Sequence, residues 1–409
     1  MIQGIGKRKR TGRGADRPAI AGGTPVRTPE NFLVFGAPKI CDEEIDAVVA
    51  CLRSGWIGTG PRAHEFEGAF AAYKGKRYAV AVHSCTAALH LSMLASGVGP
   101  GDEVITTPMT FCATVNAIIH CGATPVLADC DRETMNISPA LVEEKITART
   151  RAILPVHFAG RCCDMDPLLD LARSYDLMII EDCAHAIESE YRGRKAGTDG
   201  DMGCFSFYVT KNMTTGEGGM VVTDDERIAN RLKMLALHGM SKDAWKRFSD
   251  TGYRHYQVVY GGFKYNMMDL QAALGIHQLA RIEDNRRRRE EIWNTYNDAF
   301  ADLPCFLPAP PEEDTRHAYH LYTPLIDTER LGKSRDWVLE AMGRENIGVG
   351  VHYLPIHSHP FYRKTYGWKE GMFPQAEWIG ARTLSLPLSP ALTDADVADV
   401  ITAFRRVLA

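Results

Sequence analysis

One stretch of the chain decides the fold and the chemistry: Gly203-Cys-Phe-Ser-Phe-Tyr-Val-Thr-Lys211-Asn-Met-Thr-Thr-Gly216-Glu-Gly-Gly219-Met-Val-Val222. Two apolar, β-prone runs flank a polar loop that contains one lysine, followed by three glycines within four positions. A lysine held between buried strands loses hydration, which lowers the pKa of its amine and makes it a nucleophile. The glycines allow a ligand or a second backbone to approach closely. The alternative interpretation is a strand, a surface lysine and a turn.

Upstream of this stretch, short apolar runs alternate with helical patterns, which is typical of a mostly parallel sheet covered by helices. The apolar runs predicted as strands cover residues 78–82, 103–106, 125–128, 152–156 and 177–180. Ligands in such sheets bind at the carboxyl ends of the strands. No G-x-G-x-x-G motif follows the first run, and no G-x-x-x-x-G-K-[ST] loop occurs. A phosphate group would therefore have to be bound in another way.

Two of the strand ends carry polar side chains. The first run leads into Ser84-Cys85-Thr86, where hydroxyl groups and free N–H groups at a helix N-terminus can bind a phosphate. Ser84 is equally well explained as an N-cap without any ligand. The run that ends at Ile180 leads into Asp182 and His185. Because the sequence has no second acidic or histidine cluster at metal-ligand spacing, a counter-ion role for Asp182 is favoured over a metal site.

Pyridoxal phosphate is a cofactor that needs all of these groups at once. Its phosphate needs N–H and hydroxyl donors, its ring nitrogen needs a carboxylate to stay protonated, and its aldehyde needs an amine. Lys211 supplies the amine, and Ser206 in the same stretch adds a hydroxyl group. Phe111, at a strand-to-helix turn, offers an aromatic cap for the ring. The sequence therefore predicts a pyridoxal phosphate site with no metal.

The composition excludes several classes of function. A chain of 409 residues is long enough for one large and one small domain. Its 45% hydrophobic and 24% charged residues are typical of a soluble globular protein, and the net charge of −4 gives no basic field for nucleic acid or membrane. The eleven cysteines are odd in number and lack C-x-x-C spacing, which favours a reducing, cytoplasmic location.

Composition and periodicity divide the chain into three predicted parts. Residues 1–33 are expected to form a basic, disordered N-terminal tail and arm, 34–290 a large cofactor-binding domain, and 291–409 a small α+β domain. A single long helix is predicted over about 268–303. The glycines of the loop 55–60 predict a mobile lid over the site, and a plain interdomain linker explains them as well.

Several motifs together resemble those of the DegT/DnrJ/EryC1/StrS family of sugar-nucleotide aminotransferases, which have fold type I among pyridoxal phosphate enzymes. The motifs are Ser54 to Pro61, Ser84 to Leu89, Glu181 to Ala186, Phe205-Ser206-Phe207 with Lys211 and Gly216 to Gly219, and Tyr265 to Asp269. The resemblance extends from about Phe35 to the C-terminus. It implies an α/β fold in which a large, mostly parallel seven-stranded sheet domain is followed by a small α+β C-terminal domain.

The resemblance also implies a role for each matching residue. Lys211 would bind the cofactor as a Schiff base and move the proton between substrate and cofactor. Asp182 would pair with the ring nitrogen, and His185 would lie near the ring hydroxyl, where many relatives have glutamine. The other implied contacts are Ser84, Cys85, Thr86 and Ser206 for the phosphate, Phe111 for the ring, Asn266 for the phosphate of the partner subunit's cofactor, and Trp56, Ile57, Gly58, His320, His352 and Tyr353 for the sugar-nucleotide entrance. Relatives often have glycine at Cys85 and tyrosine or tryptophan at Phe111.

The activity implied by the resemblance is amino transfer by a homodimer with shared active sites. Glutamate, or glutamine in its place, would donate the amino group to a keto sugar linked to a nucleotide. The segments His238-Gly-Met and Phe263 to Asn266 are most similar to enzymes that aminate C4, which predicts a dTDP-4-keto-6-deoxyhexose 4-aminotransferase. The alternatives are a C3 aminotransferase, a regulatory protein that binds the cofactor without turnover, and a related dehydratase, although that branch has histidine in place of Lys211.

Overall fold

The computed structural model describes residues 17–241 and 256–409, and a seven-stranded sheet lies at its centre. The β-strands in chain order are β1 (Tyr78–Val82), β2 (Glu103–Thr106), β3 (Thr124–Leu127), β4 (Thr150–Ile153), β5 (Met178–Asp182), β6 (Glu190–Tyr191), β7 (Arg194–Lys195), β8 (Met202–Ser206), β9 (Gly219–Thr223), β10 (Cys305–Phe306), β11 (Thr315–Arg316) and β12 (Leu325–Ile326). The central sheet has the order β1-β9-β8-β5-β4-β2-β3. Strand β9 runs antiparallel to both of its neighbours, and the other pairs are parallel. The predicted fold class is confirmed.

Helices cover both faces of this sheet. The helices in chain order are α1 (Asp42–Ser54), α2 (Pro61–Lys74), α3 (Cys85–Ala95), α4 (Cys112–His120), α5 (Pro139–Glu143), α6 (Met165–Tyr175), α7 (Glu226–Ala236), α8 (Asp269–Ala280), α9 (Ile282–Phe300), α10 (Thr328–Leu331), α11 (Arg335–Arg344), α12 (Pro360–Tyr366), α13 (Pro374–Gly380) and α14 (Asp394–Leu408). Every residue of β8 and β9 is buried, which explains why the opening stretch reads as two continuous apolar runs rather than an alternating pattern.

Two hydrophobic cores hold the helices against the sheet. On one side, the ring of Phe70 lies 5.0 Å from the ring of Phe205 on β8, measured between centroids. On the other side, Leu91 of α3 belongs to the same buried cluster as Met202 and Val221 of β8 and β9. Because both faces are packed, the ends of the strands are the part of the sheet left open for a ligand.

The last third of the chain packs around a separate aromatic core. Tyr296 of α9 and Tyr322 have ring centroids 5.1 Å apart, and Phe404 of α14 lies against the same cluster. The predicted single helix over 268–303 is wrong, since it breaks at Arg281 into α8 and α9. Arg281 has non-helical backbone angles there, and its guanidinium group is turned back to pair with Glu44 of α1. The boundary between the two predicted domains stays a prediction.

Part of the N-terminal segment is ordered against the C-terminal part of the chain. Within residues 17–33, which were predicted as disordered, the amide of Val26 donates to the Glu345 carboxylate at 2.8 Å and Arg27 pairs with Asp396 at 2.7 Å. The sequence prediction was wrong for this part because composition alone does not register these distant acidic partners. The basic cluster between residues 7 and 13 lies outside the described residues. Across 17–241 and 256–409, none of the helices combines the length and apolar character required to cross a bilayer.

Candidate active site

A cavity of about 600 Å³ opens at the carboxyl ends of the strands β5 and β8. Most of the residues predicted from the sequence line it: Ser84, Cys85, Thr86, Phe111, Asp182, His185, Ser206, Lys211, His352 and Tyr353. A wider cleft of about 910 Å³ lies elsewhere, around the ion pair between Lys76 and Asp224, but none of the predicted residues lines it. The cavity is therefore the candidate active site.

Lys211 projects into this cavity from the loop that joins β8 to β9. Burial lowers the pKa of its amine to about 8, while the nearby groups of Cys85 and Asp182 act in the opposite direction. Burial disfavours the charged form of a lysine, and that is the dominant effect here. An amine with this pKa is partly neutral near pH 7 and can act as a nucleophile and as a base.

The glycines after Lys211 have separate tasks. A Cβ atom on Gly219 would lie only 2.5 Å from the carbonyl carbon and oxygen of Ser84 and 2.7 Å from the amide nitrogen of Cys85. Gly219 therefore allows β9 to pack directly against the start of α3. Gly216 has a φ angle of +77°, which favours glycine, and open space surrounds it. The predicted close approach is confirmed at Gly219, whereas Gly216 serves the turn.

The N-terminus of α3 presents amide donors to the cavity. Ser84 is the N-cap, and its hydroxyl oxygen accepts a hydrogen bond from the amide of Ala87 at 3.1 Å. The first amides of a helix have no acceptor inside the helix, so those of Cys85 and Thr86 are available to a ligand. Thr86 and buried Ser206, which both carry hydroxyl groups, line the same cavity. Such an arrangement binds phosphate.

Asp182 is a buried carboxylate at the end of β5. One oxygen accepts the amide of Ala184 at 3.1 Å, and the other accepts the Thr114 hydroxyl at 2.9 Å. Burial raises the pKa of Asp182, while these two hydrogen bonds and Lys211 lower it. A cationic group bound in the cavity would favour the ionised carboxylate, because opposite charges attract each other more strongly at low dielectric. The side chain therefore suits a protonated ring nitrogen.

The neighbouring acid, Glu181, points away from the cavity because successive residues of a strand face opposite sides. Its carboxylate lies 2.9 Å from the imidazole of His157 and accepts the amides of Gly197 and Gly200 at 2.7 Å. Together with Cys183, this pair has the spacing of a metal site, which the sequence did not indicate. The hydrogen bonds already satisfy both the carboxylate and the imidazole, which favours a structural role.

His185 and Tyr353 form one wall of the cavity. The Nε2 atom of His185 lies 3.1 Å from the Tyr353 hydroxyl oxygen, and its Nδ1 atom accepts the amide of Ala159 at 3.2 Å. Burial lowers the pKa of His185 well below its ordinary value, and the charge of Lys211 acts in the same direction. His185 is therefore neutral. Phe111 is 56% exposed and faces the Tyr353 ring at a centroid distance of 6.1 Å.

His320 lies behind this wall and does not line the cavity. Its ring centroid is 4.4 Å from that of His185, and its Nδ1 atom lies 2.8 Å from the amide oxygen of Asn212. The amide nitrogen of Asn212 donates to Glu188 at 2.7 Å, and Glu188 forms a buried ion pair with Arg289. This chain of contacts begins beside Lys211 in sequence, and only His320 among its members was predicted.

Four predicted residues lie away from the cavity of their own chain: Trp56, Ile57, Gly58 and Asn266. The side-chain nitrogen of Asn266 donates to the Thr59 hydroxyl at 2.5 Å, and the carbonyl of Gly58 accepts the amide of Asp269 at 2.9 Å. Trp56 and Ile57 are 53% and 46% exposed. The loop and Asn266 therefore form one connected surface feature.

The cavity also contains residues that the sequence did not reveal. Thr110 and Thr114 share a hydrogen bond of 2.6 Å and hold Asp182, while Tyr208 and Thr210 stand on the lysine loop. The sequence around Thr110 has the pattern of a strand end followed by a helix, and this pattern was the signal that could have indicated a site residue there. The sequence cannot tell which of several hydroxyl groups in such a turn faces the neighbouring strand.

The residues of the cavity fit pyridoxal phosphate. The α3 amides suit the phosphate, the buried carboxylate of Asp182 suits the ring nitrogen, and the amine of Lys211 suits the aldehyde. A volume of about 600 Å³ exceeds what one small cofactor needs and leaves room for part of a substrate.

Comparisons with known proteins agree with this geometry. The chain is 50% identical to the spore coat polysaccharide biosynthesis protein SpsC of Bacillus subtilis, over 94% of this chain and 99% of that protein. The putative sugar aminotransferase Spr1654 of Streptococcus pneumoniae, solved in its PMP form, has a TM-score of 0.85 at 34% identity, over 92% of this chain and 98% of that one. The same enzyme is also known in its PLP form. DesI, solved with its TDP-sugar product, has a TM-score of 0.84 at 32% identity, over 95% of this chain and 96% of that one.

The family assignment follows from the match over most of the chain. The sequence profile of the DegT/DnrJ/EryC1/StrS aminotransferase family matches residues 38–405. The chain therefore belongs to the DegT/DnrJ/EryC1/StrS family, and it is a pyridoxal phosphate-dependent sugar aminotransferase of fold type I.

Proposed function

We propose that this enzyme moves an amino group from glutamate to C4 of a 4-keto nucleotide sugar, a dTDP-4-keto-6-deoxyhexose. The observation that carries the proposal is the convergence of Lys211, Asp182 and the free amides of α3 in one cavity with space for a sugar. The likeness to DesI, which was solved with a TDP-sugar product, supports the nucleotide. The C4 position rests on the resemblance of the motifs around His238 and Phe263.

Lys211 is the proposed acid and base of the reaction. Pyridoxal phosphate supplies the electron sink and carries the amino group between the two substrates. Lys211 takes the proton from the carbon of the amino donor and delivers one to the carbon of the sugar. A pKa of about 8 suits both tasks, because the amine exchanges its proton readily near neutral pH. Lys211→Ala should abolish transamination while leaving binding of pyridoxamine phosphate intact.

In this proposal the cofactor would be held by residues at the ends of several strands. Asp182 would stabilise the protonated ring nitrogen, and the hydroxyl group of Thr114 orients its carboxylate. Ser84, Cys85 and Thr86 at the start of α3, with Ser206 at the end of β8, would bind the phosphate. Phe111 would stack on the ring, and His185 would lie near the ring hydroxyl. The exposed face of Phe111 in the cavity supports its assignment.

The sugar is expected to lie against His352 and Tyr353, which both line the cavity. Burial lowers the pKa of His352 to about 4, so its imidazole is neutral and recognises hydroxyl groups rather than charges. His320 was predicted as a substrate contact, but His185 separates it from the cavity. We therefore assign His320 the indirect task of supporting His185.

We further propose that the active site is shared across a homodimer. Asn266 and the loop with Trp56, Ile57 and Gly58 are joined through Thr59, so they would enter the partner's site together. The side-chain oxygen of Asn266 is buried without a hydrogen-bond partner among the described residues, which supports a ligand or a second chain beside it.

Hybrid dimers test this shared site. Lys211→Ala and Asn266→Asp chains, each inactive on its own, would be denatured together and refolded as a mixture. If the site is shared, each hybrid has one site with both defects and one with neither, and about a quarter of all sites become active after random pairing. If each chain instead has a complete site, mixing the two chains restores no activity.

Product analysis tests the substrate. Purified enzyme with glutamate would be offered dTDP-linked 4-keto and 3-keto 6-deoxyhexoses in parallel, and the aminated carbon would be located by NMR. The proposal expects amination of the 4-keto sugar. Conversion of the 3-keto isomer alone would contradict it and identify a C3 aminotransferase. Cofactor absorbance that stays unchanged on addition of glutamate would contradict amino transfer from glutamate itself.

A further inference from the structure

We propose that the Tyr353 hydroxyl group is the proton donor to the keto oxygen of the sugar, which leaves as water when the amine is introduced. The inference rests on the proposed function and assigns a further catalytic residue in the same cavity. It starts from the direction of the hydrogen bond between Tyr353 and His185 and from the groups that surround the phenol.

The direction of this hydrogen bond follows from the backbone. The Ala159 amide must donate, so the Nδ1 atom of His185 carries no proton. Because His185 is neutral, its proton is on Nε2, and that N–H donates to the hydroxyl oxygen of Tyr353. The hydroxyl proton of Tyr353 therefore points away from His185. Since the Tyr353 side chain lines the cavity, a ligand there can accept this proton.

The phenol is held in place from several sides. Its ring lies 6.0 Å from the ring of Phe158 and 6.1 Å from the ring of Phe111, measured between centroids. The titratable groups that face it are His185, His352, Asp182 and Cys112. Burial raises the pKa of Tyr353 and the acidic neighbours act in the same direction, so the phenol keeps its proton until a substrate oxygen accepts it.

The proposed step conserves atoms and charge. Formation of a carbon–nitrogen double bond from an amine and a ketone breaks the bond between carbon and oxygen and releases one water molecule. Tyr353 protonates the keto oxygen as the nitrogen attacks, which gives a hydroxyl group, and it protonates that hydroxyl group when this leaves as water. After each transfer the phenol regains a proton from the attacking nitrogen, so both hydrogens of the water come from the amine. The N–H group of His185 stabilises the phenolate in between, because a hydrogen bond to a charged oxygen is stronger than one to a neutral oxygen. No oxidant or reductant is required.

Other donors in the cavity are less well prepared for this task. The Tyr208 side chain lines the cavity from the lysine loop, but it is 43% exposed and therefore more open to competing water. Lys211 is already engaged in moving the proton at the reacting carbon. Asp182 accepts hydrogen bonds through both of its oxygens. Among Tyr208, Lys211, Asp182 and Tyr353, only Tyr353 has a hydroxyl group that is held by the neutral imidazole of His185.

The test compares Tyr353→Phe in the holoenzyme with the matched control Tyr322→Phe, which removes the hydroxyl group of a buried tyrosine in the C-terminal core, outside the cavity. Enzyme carrying pyridoxamine phosphate would be mixed with the keto sugar in a stopped-flow instrument, and product binding would be measured by calorimetry. We expect Tyr353→Phe to slow the sugar half-reaction by about 100-fold, the low end of the range for a general acid. The product Kd should change by less than about two-fold, because only the departing oxygen is affected. Tyr322→Phe should change neither quantity.

A second measurement covers the case in which Tyr353→Phe does not fold. Incorporation of 3,5-difluorotyrosine at position 353 keeps the size and the hydroxyl group but lowers the phenol pKa. Because a stronger acid gives up its proton more readily, the sugar half-reaction at a fixed pH should become faster by about three-fold or more, with Lys211 unaltered. An unchanged rate in the difluorotyrosine enzyme, a loss of rate below about three-fold in Tyr353→Phe, or an equal loss in Tyr322→Phe would each overturn the inference. Wild-type enzyme that aminates no keto sugar would refute the proposed function instead.

Discussion

Replacing Gly219 by alanine probes the link between the lysine loop and the phosphate site. The new Cβ atom would lie 2.5 Å from the carbonyl group of Ser84 and 2.7 Å from the amide nitrogen of Cys85. All of these contacts are with backbone atoms, so no side chain can rotate to relieve them. Strand β9 and the start of α3 must therefore separate.

The size of this separation sets the expected loss. Reaching an ordinary contact distance of 3.4 Å requires a movement of about 0.9 Å. A hydrogen bond from the Cys85 or Thr86 amide to a phosphate oxygen would be stretched beyond its useful range by such a shift. Hydrogen bonds to charged groups contribute about 1.5–3 kcal/mol each, so the loss of one weakens cofactor binding by about 10-fold to 150-fold. Overpacking costs a further 1–3 kcal/mol of stability, roughly.

The assay is titration of the apoenzyme with pyridoxal phosphate, followed by absorbance, together with urea unfolding. Gly216→Ala is the matched control, because Gly216 lies in the same loop at a φ angle of +77° with open space around it. That variant should lose about 1–2 kcal/mol of stability from backbone strain while its cofactor Kd stays within about two-fold. If Gly219→Ala retains the wild-type Kd despite a similar loss of stability, the start of α3 does not hold the phosphate.

Two further predictions concern charged groups around the site. In apoenzyme, the pKa of Lys211 is about 8 in the folded chain and near 10.4 when unfolded, so the unfolded chain binds more protons between these values and stability rises with pH. Urea unfolding of wild type and Lys211→Met at about pH 7.5 and 9.5 should show a smaller rise in the free energy of unfolding for the variant. Buried Lys74, whose pKa is also about 8, contributes equally to both proteins. An identical rise in the two proteins would contradict the lowered pKa of Lys211. Arg289→Met leaves the Glu188 carboxylate buried without its cation and should cost about 3–5 kcal/mol by urea unfolding. The double variant with Glu188→Gln should recover part of that loss, and no recovery would show that the pair is not the cause.

Sequence reasoning was strongest where one segment of chain carries the signal. The burial of β8 and β9 appears in the sequence as two apolar runs, and the lysine between them lies in the cavity as predicted. Asp182 was found because it ends a strand of a parallel sheet, a position that faces ligands. In both cases a local pattern and a general rule of sheet architecture were sufficient.

The residues that escaped prediction depend on contacts between distant segments. Asn212 faces His320 across more than a hundred positions, and Arg289 joins the same group from α9. The basic run at 286–289 has the pattern of a solvated helix face, but the side chain of Arg289 is almost fully buried. Periodicity identifies the buried face of a helix, but it does not identify the acid on another element that makes a buried arginine tolerable.

The contacts around Lys211 suggest why the lysine loop is built as it is. Asn212 follows the reactive lysine directly, and its amide is fixed by Glu188 on one side and His320 on the other. His320 in turn packs against His185, which orients the Tyr353 hydroxyl group. Lys211, which moves the proton at carbon, and Tyr353, which donates a proton to the oxygen, are thus both connected to one buried hydrogen-bond network. Because such a network has few alternative arrangements, it keeps these two proton-transfer groups at a fixed separation while one substrate replaces the other.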